Sequence, residues 1–383
     1  MLIKSEDILL SVTKSIRTFI FMSLSITIPF FLTYLGYDPL DVSLVLLVAI
    51  GVSTFYIYFY SLLKIDIKKK LLLMGFLLVV SLAFLYIYET LPGLIAALVI
   101  GAISLSGKDM ATNQSLEQYT IGMVERDQRA KNFAFSLYNF LSYGSGAAAS
   151  AFLYLTETQN FRLIFITVLG LAIAQVAIYS VLKFPILNRV DPQVKANSET
   201  KRRIHTLSSL FFVDSVGGGL VNTSIITLWF EVVYHVTLSQ AGLIFIGVNI
   251  ITAGSIIISG YLSSSIGLVR TMVYTHVISN IFLFFIPVFH FLVWSEALLF
   301  IRQSTSQMDV PARDSFVNTI IPEESRVGGN SSFLAYRNAG QVPGPGLAGI
   351  LFEVFPSGIF ITAALTKIAY DLTFYFKFRS VHT

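Results

Sequence analysis

Charged side chains inside apolar stretches are the residues most able to do chemistry here, because a charge held in hydrocarbon costs several kcal/mol unless it is paired or hydrated. Arg302, Asp309 and Arg313 recur at i, i+7 and i+11, a spacing that places them on one face of a helix with Ser306 between them. Such a stripe suits substrate contact or gating. Asp309 and Arg313, four apart, equally suit mutual neutralisation, and the readings stay open. Pro311 within the stripe predicts a kink. A second group is Lys108, Asp109, Asn113 and Glu117. Nine positions separate Lys108 from Glu117, so the two face opposite sides of a helix, whereas Asp109 and Asn113 share a face. Lys108 and Asp109 serve either function or a structural pairing to a neighbouring helix.

Asp214 is the lone charge in its stretch, just before Gly217 to Gly219. It must find Arg313, Arg337 or water, or stay protonated. Arg337, between Tyr336 and Asn338, is the expected counter-charge, and Lys367 and Asp371, four apart, are expected to pair locally. A carboxyl group that is neutral in one conformation and ionised in another is what proton coupling requires. Asp214 leads that role, against a fixed salt bridge, with Asp109 and Glu117 as further candidates. The signs nearly balance: Lys108, Arg302, Arg313, Arg337 and Lys367 stand against Asp109, Glu117, Asp214, Asp309, Asp314 and Asp371. Glu231 falls near a membrane face and stands outside this balance. The five histidines are scattered, lack a His-Glu-x-x-His pattern and are expected to be mostly solvated near membrane faces, so neither a metal site nor a cofactor is expected. The Gly-x-Gly pairs at Gly144 and Gly344 lie inside apolar stretches without the strand-turn-helix setting of a dinucleotide loop.

These residues must be positioned by membrane helices. The 383-residue chain is 55% hydrophobic and 13% charged, with a mean hydropathy of +0.73, more apolar surface than a water-soluble fold can hide. At about 20 residues per crossing, twelve spans fit, near 13–35, 41–63, 69–88, 92–121, 131–156, 161–184, 204–233, 239–266, 269–290, 293–322, 327–353 and 358–379. Runs such as Leu94 to Ser104 are apolar nearly all round, which excludes the alternation of a β-barrel. Of the 26 Lys and Arg, 20 fall on one side of this map, among them Lys4, Lys14, Arg17, Lys64 and the Lys68 to Lys70 run, and only Arg162 falls on the other. That asymmetry predicts cytoplasmic termini and accounts for the net charge of +4 without a nucleic-acid surface. Cysteine is absent, so disulfides and thiol chemistry are excluded.

A polar segment over 185–203 separates two halves that echo one another near a 200-residue spacing. The segment after Tyr60 matches that after Gly260, Gly144 through Phe152 matches Gly344 through Phe352, and Arg129 with Tyr138 matches Arg326 with Tyr336. A duplicated six-span unit follows, with bundles over 1–184 and 204–383 and 185–203 as a cytoplasmic linker.

On these features the whole sequence resembles the major facilitator superfamily. The family's loop signature, Gly-x-Leu-Ala-Asp-Arg-x-Gly-Arg-Lys, is followed after span eight by Gly260, Leu262 and Gly267, with Arg270 one place past its last basic position. After span two only Leu62 and Lys68 to Lys70 remain; Lys64 and Ser264 occupy the acidic position, for which Asp66 is a substitute two residues on. The exporter pattern Gly-x-x-x-Gly-Pro-x-x-Gly-Gly is matched in span eleven by Gly340, Gly344, Pro345 and Gly349, with Ala348 at the other glycine. Span five keeps Gly144, Gly146 and Ala147 to Ala149 without the proline. Close helix packing is the plain reading; the pattern also leans toward export.

The resemblance implies an all-α membrane protein of twelve transmembrane helices in two pseudo-symmetric six-helix bundles, with spans one, four, seven and ten lining a cavity. It implies a monomeric, multi-pass cell-membrane transporter working by alternating access, without enzymatic activity or a cofactor, that exports a small organic molecule in exchange for H⁺. Lys108, Asn113, Arg302, Ser306, Asp309, Arg313 and Arg337 are the expected cavity residues; Asp66, Lys68, Gly260, Gly267 and Arg270 the gating loops. H⁺-coupled uptake of an organic anion or nutrient is the nearest alternative, followed by a non-transporting receptor. An intramembrane hydrolase using Asp214 with Asp109 is disfavoured, since each acid has a Lys or Arg available.

Overall fold

The computed structural model describes residues 4–107, 111–124, 128–156, 160–182, 198–322 and 325–379. All regular structure among them is helical, as lipid demands: a spanning segment must satisfy its own backbone N–H and C=O groups. In chain order the helices are α1 (Ser5–Tyr34), α2 (Pro39–Leu62), α3 (Ile67–Ile87), α4 (Leu91–Gly101), α5 (Ala111–Val124), α6 (Gln128–Leu155), α7 (Phe161–Val181) and α8 (Ser198–Leu220), followed by α9 (Thr223–Tyr234), α10 (Leu238–Ile266), α11 (Leu268–Phe285), α12 (Leu292–Ser306), α13 (Asp309–Ile320), α14 (Arg326–Gln341), α15 (Pro343–Val354) and α16 (Gly358–Phe378).

Each of the twelve expected spans holds one helix or two in series. The pairs α4/α5, α8/α9, α12/α13 and α14/α15 form spans four, seven, ten and eleven. Local chemistry marks each interruption. After α4 the chain takes positive φ at Ala102, Leu105 and Gly107. Between α8 and α9, the Asn222 side chain accepts from the Ile225 N–H at 3.0 Å and starts a new helix. Pro311 and Pro343 lack the N–H that would reach back four residues, and both sit just after an interruption. The Gln307 carbonyl, which Pro311 leaves without a donor, accepts instead from Val310 at 3.3 Å.

Between α12 and α13, Gln307 and Met308 form a turn in which the Met308 N–H donates to the Thr305 carbonyl at 3.2 Å, so an interruption falls between Arg302 and the Asp309–Arg313 segment.

The chain divides into two compact units: 1–188 with 222–249, and 189–221 with 250–383. In the first, α1 packs on α6, α7 and α9, and α3 on α7 and α4. Its core gathers Leu10, Leu71, Ile121, Ala134, Tyr138, Tyr179 and Leu182. In the second, α8 packs on α14 and α16, and α11 on α16, α12 and α13, around Phe211, Met272, Phe316, Phe333, Tyr370 and Phe374.

Candidate functional site

In the second unit, three helices bring two acids and two bases together. Lys367 on α16 donates to Asp214 on α8 at 2.6 Å. His276 on α11 approaches the same Asp214 oxygen with Nε2 at 3.6 Å, and its Nδ1 lies 2.7 Å from Asp371 on α16. Asn280, one turn along α11, donates to the other Asp371 oxygen at 3.0 Å, and the Tyr370 ring packs edge-on against the imidazole. All four titratable residues are buried. Space for the lysine stem comes from Gly217, where a Cβ would stand 2.8 Å from Lys367 Cγ.

Two expectations are thereby corrected. Asp214 takes Lys367 as its partner in place of Arg337, and Lys367 does not pair with Asp371 along α16. A helix–helix contact at 2.6 Å outcompetes the i,i+4 pairing because Lys367 points at α8 while Asp371 points at α11. His276 is likewise buried where the histidines were expected to be mostly solvated: it stands in the middle of α11, flanked by carboxylates.

Beside this cluster, Asp309 and Arg313 pair within α13 at 2.7 Å, both buried. The Arg313 guanidinium lies over the Phe211 ring at 5.8 Å. Arg302 donates to Gln303 at 3.0 Å, and Gln303 donates to Thr252 on α10 at 2.6 Å. Four buried polar atoms in this region, Arg302 Nε, Ser306 Oγ, Arg313 Nη2 and Arg337 Nε, have no hydrogen-bond partner among the described residues.

The first unit holds a cluster built around one acid. Glu117 on α5 accepts a bidentate pair from Arg17 on α1, at 2.7 and 2.6 Å. It also accepts from Thr13 at 2.8 Å, Tyr138 on α6 at 2.7 Å and Tyr179 on α7 at 2.6 Å. Arg17 donates to the Tyr179 hydroxyl as well, as does Gln175 Nε2 at 3.3 Å, and Asn113 lies buried on α5 one turn before Glu117. A carboxylate offers about four acceptor sites, so Glu117 is saturated, a geometry suited to a fixed tie between four helices. Arg17, counted from the sequence among the basic residues of one membrane side, is 1% exposed. Lys108 and Asp109 lie outside the described residues.

Two backbone groups in the described part of the span-four interruption find partners within this unit. The Gly107 N–H donates to Ser25 Oγ at 2.8 Å, and the Ser224 hydroxyl on α9 reaches the carbonyls of Ser25 and Leu105. Non-helical backbone at membrane depth requires such partners.

The motif residues divide by role. A Cβ on Gly344 would meet the backbone of Gly219 at 2.2 Å, and one on Gly340 the Phe212 carbonyl at 2.5 Å; span eleven presses its backbone on α8, with Pro345 and Gly349 buried beside it. In span five, a Cβ on Gly146 would meet Asn249 at 2.6 Å, while Gly144 has nothing within 4 Å. Lys68 donates to the carbonyls of Ser180 and Leu182 at the end of α7, at 2.7 and 2.8 Å. Lys70 does the same for Tyr60 near the end of α2, at 2.9 Å. Asp66 is exposed and lies 3.7 Å from Lys69. Gly260 falls within α10, and Gly267, with φ of +87°, makes the turn into α11 ahead of exposed Arg270.

Arg17, Tyr179, His276 and Asn280 were not singled out from the sequence. Arg17 sits close to the N-terminal end of its span, where a basic residue reads as an orientation signal, and its partner is 100 residues away.

No family model matches the sequence, and no curated protein matches it as a relative. Solved structures do match over nearly the full chain. The nucleoside transporter NupG superposes with a TM-score of 0.75 at 13% identity, covering 98% of this chain and 100% of its own. An auto-inhibited POT family peptide transporter gives 0.77 at 10% identity, covering 99% and 98%. The human organic anion transporter TETRAN gives 0.69 at 12% identity, covering 97% and 100%. At such identities the likeness speaks to the fold, and with the span count, the interrupted helices and the motif glycines it identifies this chain as a multi-pass membrane protein with the major facilitator fold.

Proposed function

We propose that this protein is a secondary active transporter that works by alternating access and exports a small organic molecule in exchange for H⁺, with Asp214 as the coupling carboxyl group. The observation that carries the proposal is the Asp214–Lys367 contact, with His276 and Asp371 behind it. Protonation of Asp214 removes the charge that holds Lys367, and His276 stands between the two acids as a second proton acceptor; buried ionisable groups on facing helices are the usual substance of a proton path. The reading places the protein in the cell membrane as a monomer, with both termini cytoplasmic and bundles over 1–184 and 204–383 joined by a linker.

A thermal-shift screen against metabolites and drugs at two pH values supplies a substrate, because binding raises the stability of the folded state. In inverted vesicles that substrate accumulates only while the proton gradient is held. Asp214→Asn is expected to abolish accumulation while leaving gradient-independent exchange of labelled for unlabelled substrate. Unchanged accumulation in this variant sinks the assignment.

The unused N–H donors of Arg302, Arg313 and Arg337 favour a second reading, H⁺-coupled uptake of an organic anion. It predicts accumulation of an anionic substrate in right-side-out vesicles when the outside is acidified.

A further inference from the structure

A cavity of about 360 Å³ opens in the first unit, at the helix ends opposite the basic loops. Phe30, Thr33 and Tyr34 at the end of α1, Phe161 at the start of α7 and Glu231 near the end of α9 line it, and 235–238 close its side. The volume is that of a small-molecule pocket.

Glu231 is the chemical feature of this cavity. Thr33 donates to one of its carboxylate oxygens. The other, Oε2, is buried and has no hydrogen-bond partner among the described residues. Among the described residues no Lys or Arg lines the cavity, and none forms an ion pair with Glu231. Arg162, the one basic residue that the sequence places on this face, is held over the Tyr86 ring at 5.2 Å. Among the described residues Glu231 is therefore a half-buried acid without a Lys or Arg partner, beside three aromatic rings and His235. The Tyr34 and Phe161 rings stand 5.5 Å apart at 51°, so their faces form a corner.

We infer that this cavity is a binding site for a small organic cation, an alkylammonium or quaternary ammonium group, with Glu231 as its counter-ion and Phe30, Tyr34 and Phe161 as its aromatic wall. Aromatic faces attract a cation through the ring quadrupole, more strongly where water is excluded, and a desolvated carboxylate adds charge recognition. An alkylammonium would offer Oε2 an N–H and a charge, and a quaternary ammonium the charge alone; an anion would meet like charge. The acid and the aromatic wall together favour a positive centre with apolar substituents. The site is separate from the Asp214 cluster, so it stands whether or not that cluster couples transport to protons.

Isothermal titration of the purified full chain in detergent tests this, with choline and 3,3-dimethylbutan-1-ol as a matched pair that differs in carrying nitrogen or carbon at the branched centre. No gradient is involved. Choline is expected to bind saturably and the neutral isostere about tenfold more weakly or worse, the equivalent of one 1.4 kcal/mol contact. Glu231→Gln is expected to erase that preference, and Tyr34→Leu to weaken choline binding several-fold with the carboxylate intact. The size-exclusion profile of each variant reports that it has folded. Absence of choline binding to the wild-type chain, equal binding of the two ligands, or an undiminished preference in Glu231→Gln overturns the proposal.

Discussion

Lys367 on α16 reaches across to Asp214 on α8 at 2.6 Å, while Asp371, one turn further along the same helix, turns away to His276 on α11 at 2.7 Å. α16 thus holds two neighbours with one residue of each sign. Lys367→Met strands Asp214 in a buried setting, a loss of about 3–5 kcal/mol for a broken buried pair. The charge-swapped double variant, Asp214→Lys with Lys367→Asp, is expected to recover at least half of the lost thermal midpoint. A double variant no more stable than Lys367→Met alone would show that the contact does not hold α8 to α16.

His276 is expected to matter to stability apart from any part in transport. His276→Leu removes the partner of Asp371 and leaves a buried acceptor short of a donor, a cost of about 1–3 kcal/mol. His276→Gln, which keeps a donor near the same place, is expected to cost less. The order of the two thermal midpoints in detergent decides the matter.

In the first unit, Arg17→Ala and Glu117→Ala are each expected to destabilise strongly, and the double variant by much less than the sum, since each single change leaves the partner charge buried. A coupling of about 1–3 kcal/mol is the expected outcome of the cycle. Additivity within a few tenths of a kcal/mol would remove the case for Glu117 as the tie among α1, α5, α6 and α7.

Gly344→Ala places a methyl group 2.2 Å from the Gly219 backbone, where no side chain can swing aside. The variant is expected to lose the monodisperse size-exclusion peak or a large part of its thermal midpoint. Gly144→Ala, in the matching position of the first half, meets open space and is expected to stabilise slightly, because alanine outperforms glycine within a helix by about 1 kcal/mol. Equal behaviour of the two variants would contradict this division between packing and open glycines.

The span map was legible because apolar length is a one-dimensional property: a stretch such as Phe161–Val181 declares its place in lipid without reference to any other part of the chain. The glycines of span eleven were legible for a similar reason, as a spacing along one apolar stretch of sequence. The charge partners were not. Lys367 and Asp371 sit at the distance that a helix rule favours, yet each points at a different neighbour, and nothing in their spacing encodes the rotation of α16 against α8 and α11. Arg17 shows the same limit from the other side: a count of basic residues reads it as topology, because only the three-dimensional return of α5 to α1 brings Glu117 to it. The interruption of span ten was half visible: Pro311 marked a break in the helix, but the turn at Gln307 and Met308 falls ahead of it, between Arg302 and the Asp309–Arg313 pair.

Lys68 and Lys70 each close the carbonyl end of a helix, α7 and α2 respectively, whereas Lys64 is exposed and Lys69 reaches only solvent-exposed Asp66. Four lysines that look interchangeable as a membrane-insertion signal are therefore of two kinds. An engineer wishing to invert the protein in its bilayer has a free hand with Lys64 and Lys69, which carry charge and little else. Moving Lys68 or Lys70 unfastens a helix end as well, so a chain re-addressed through those two positions would arrive in its new orientation already weakened.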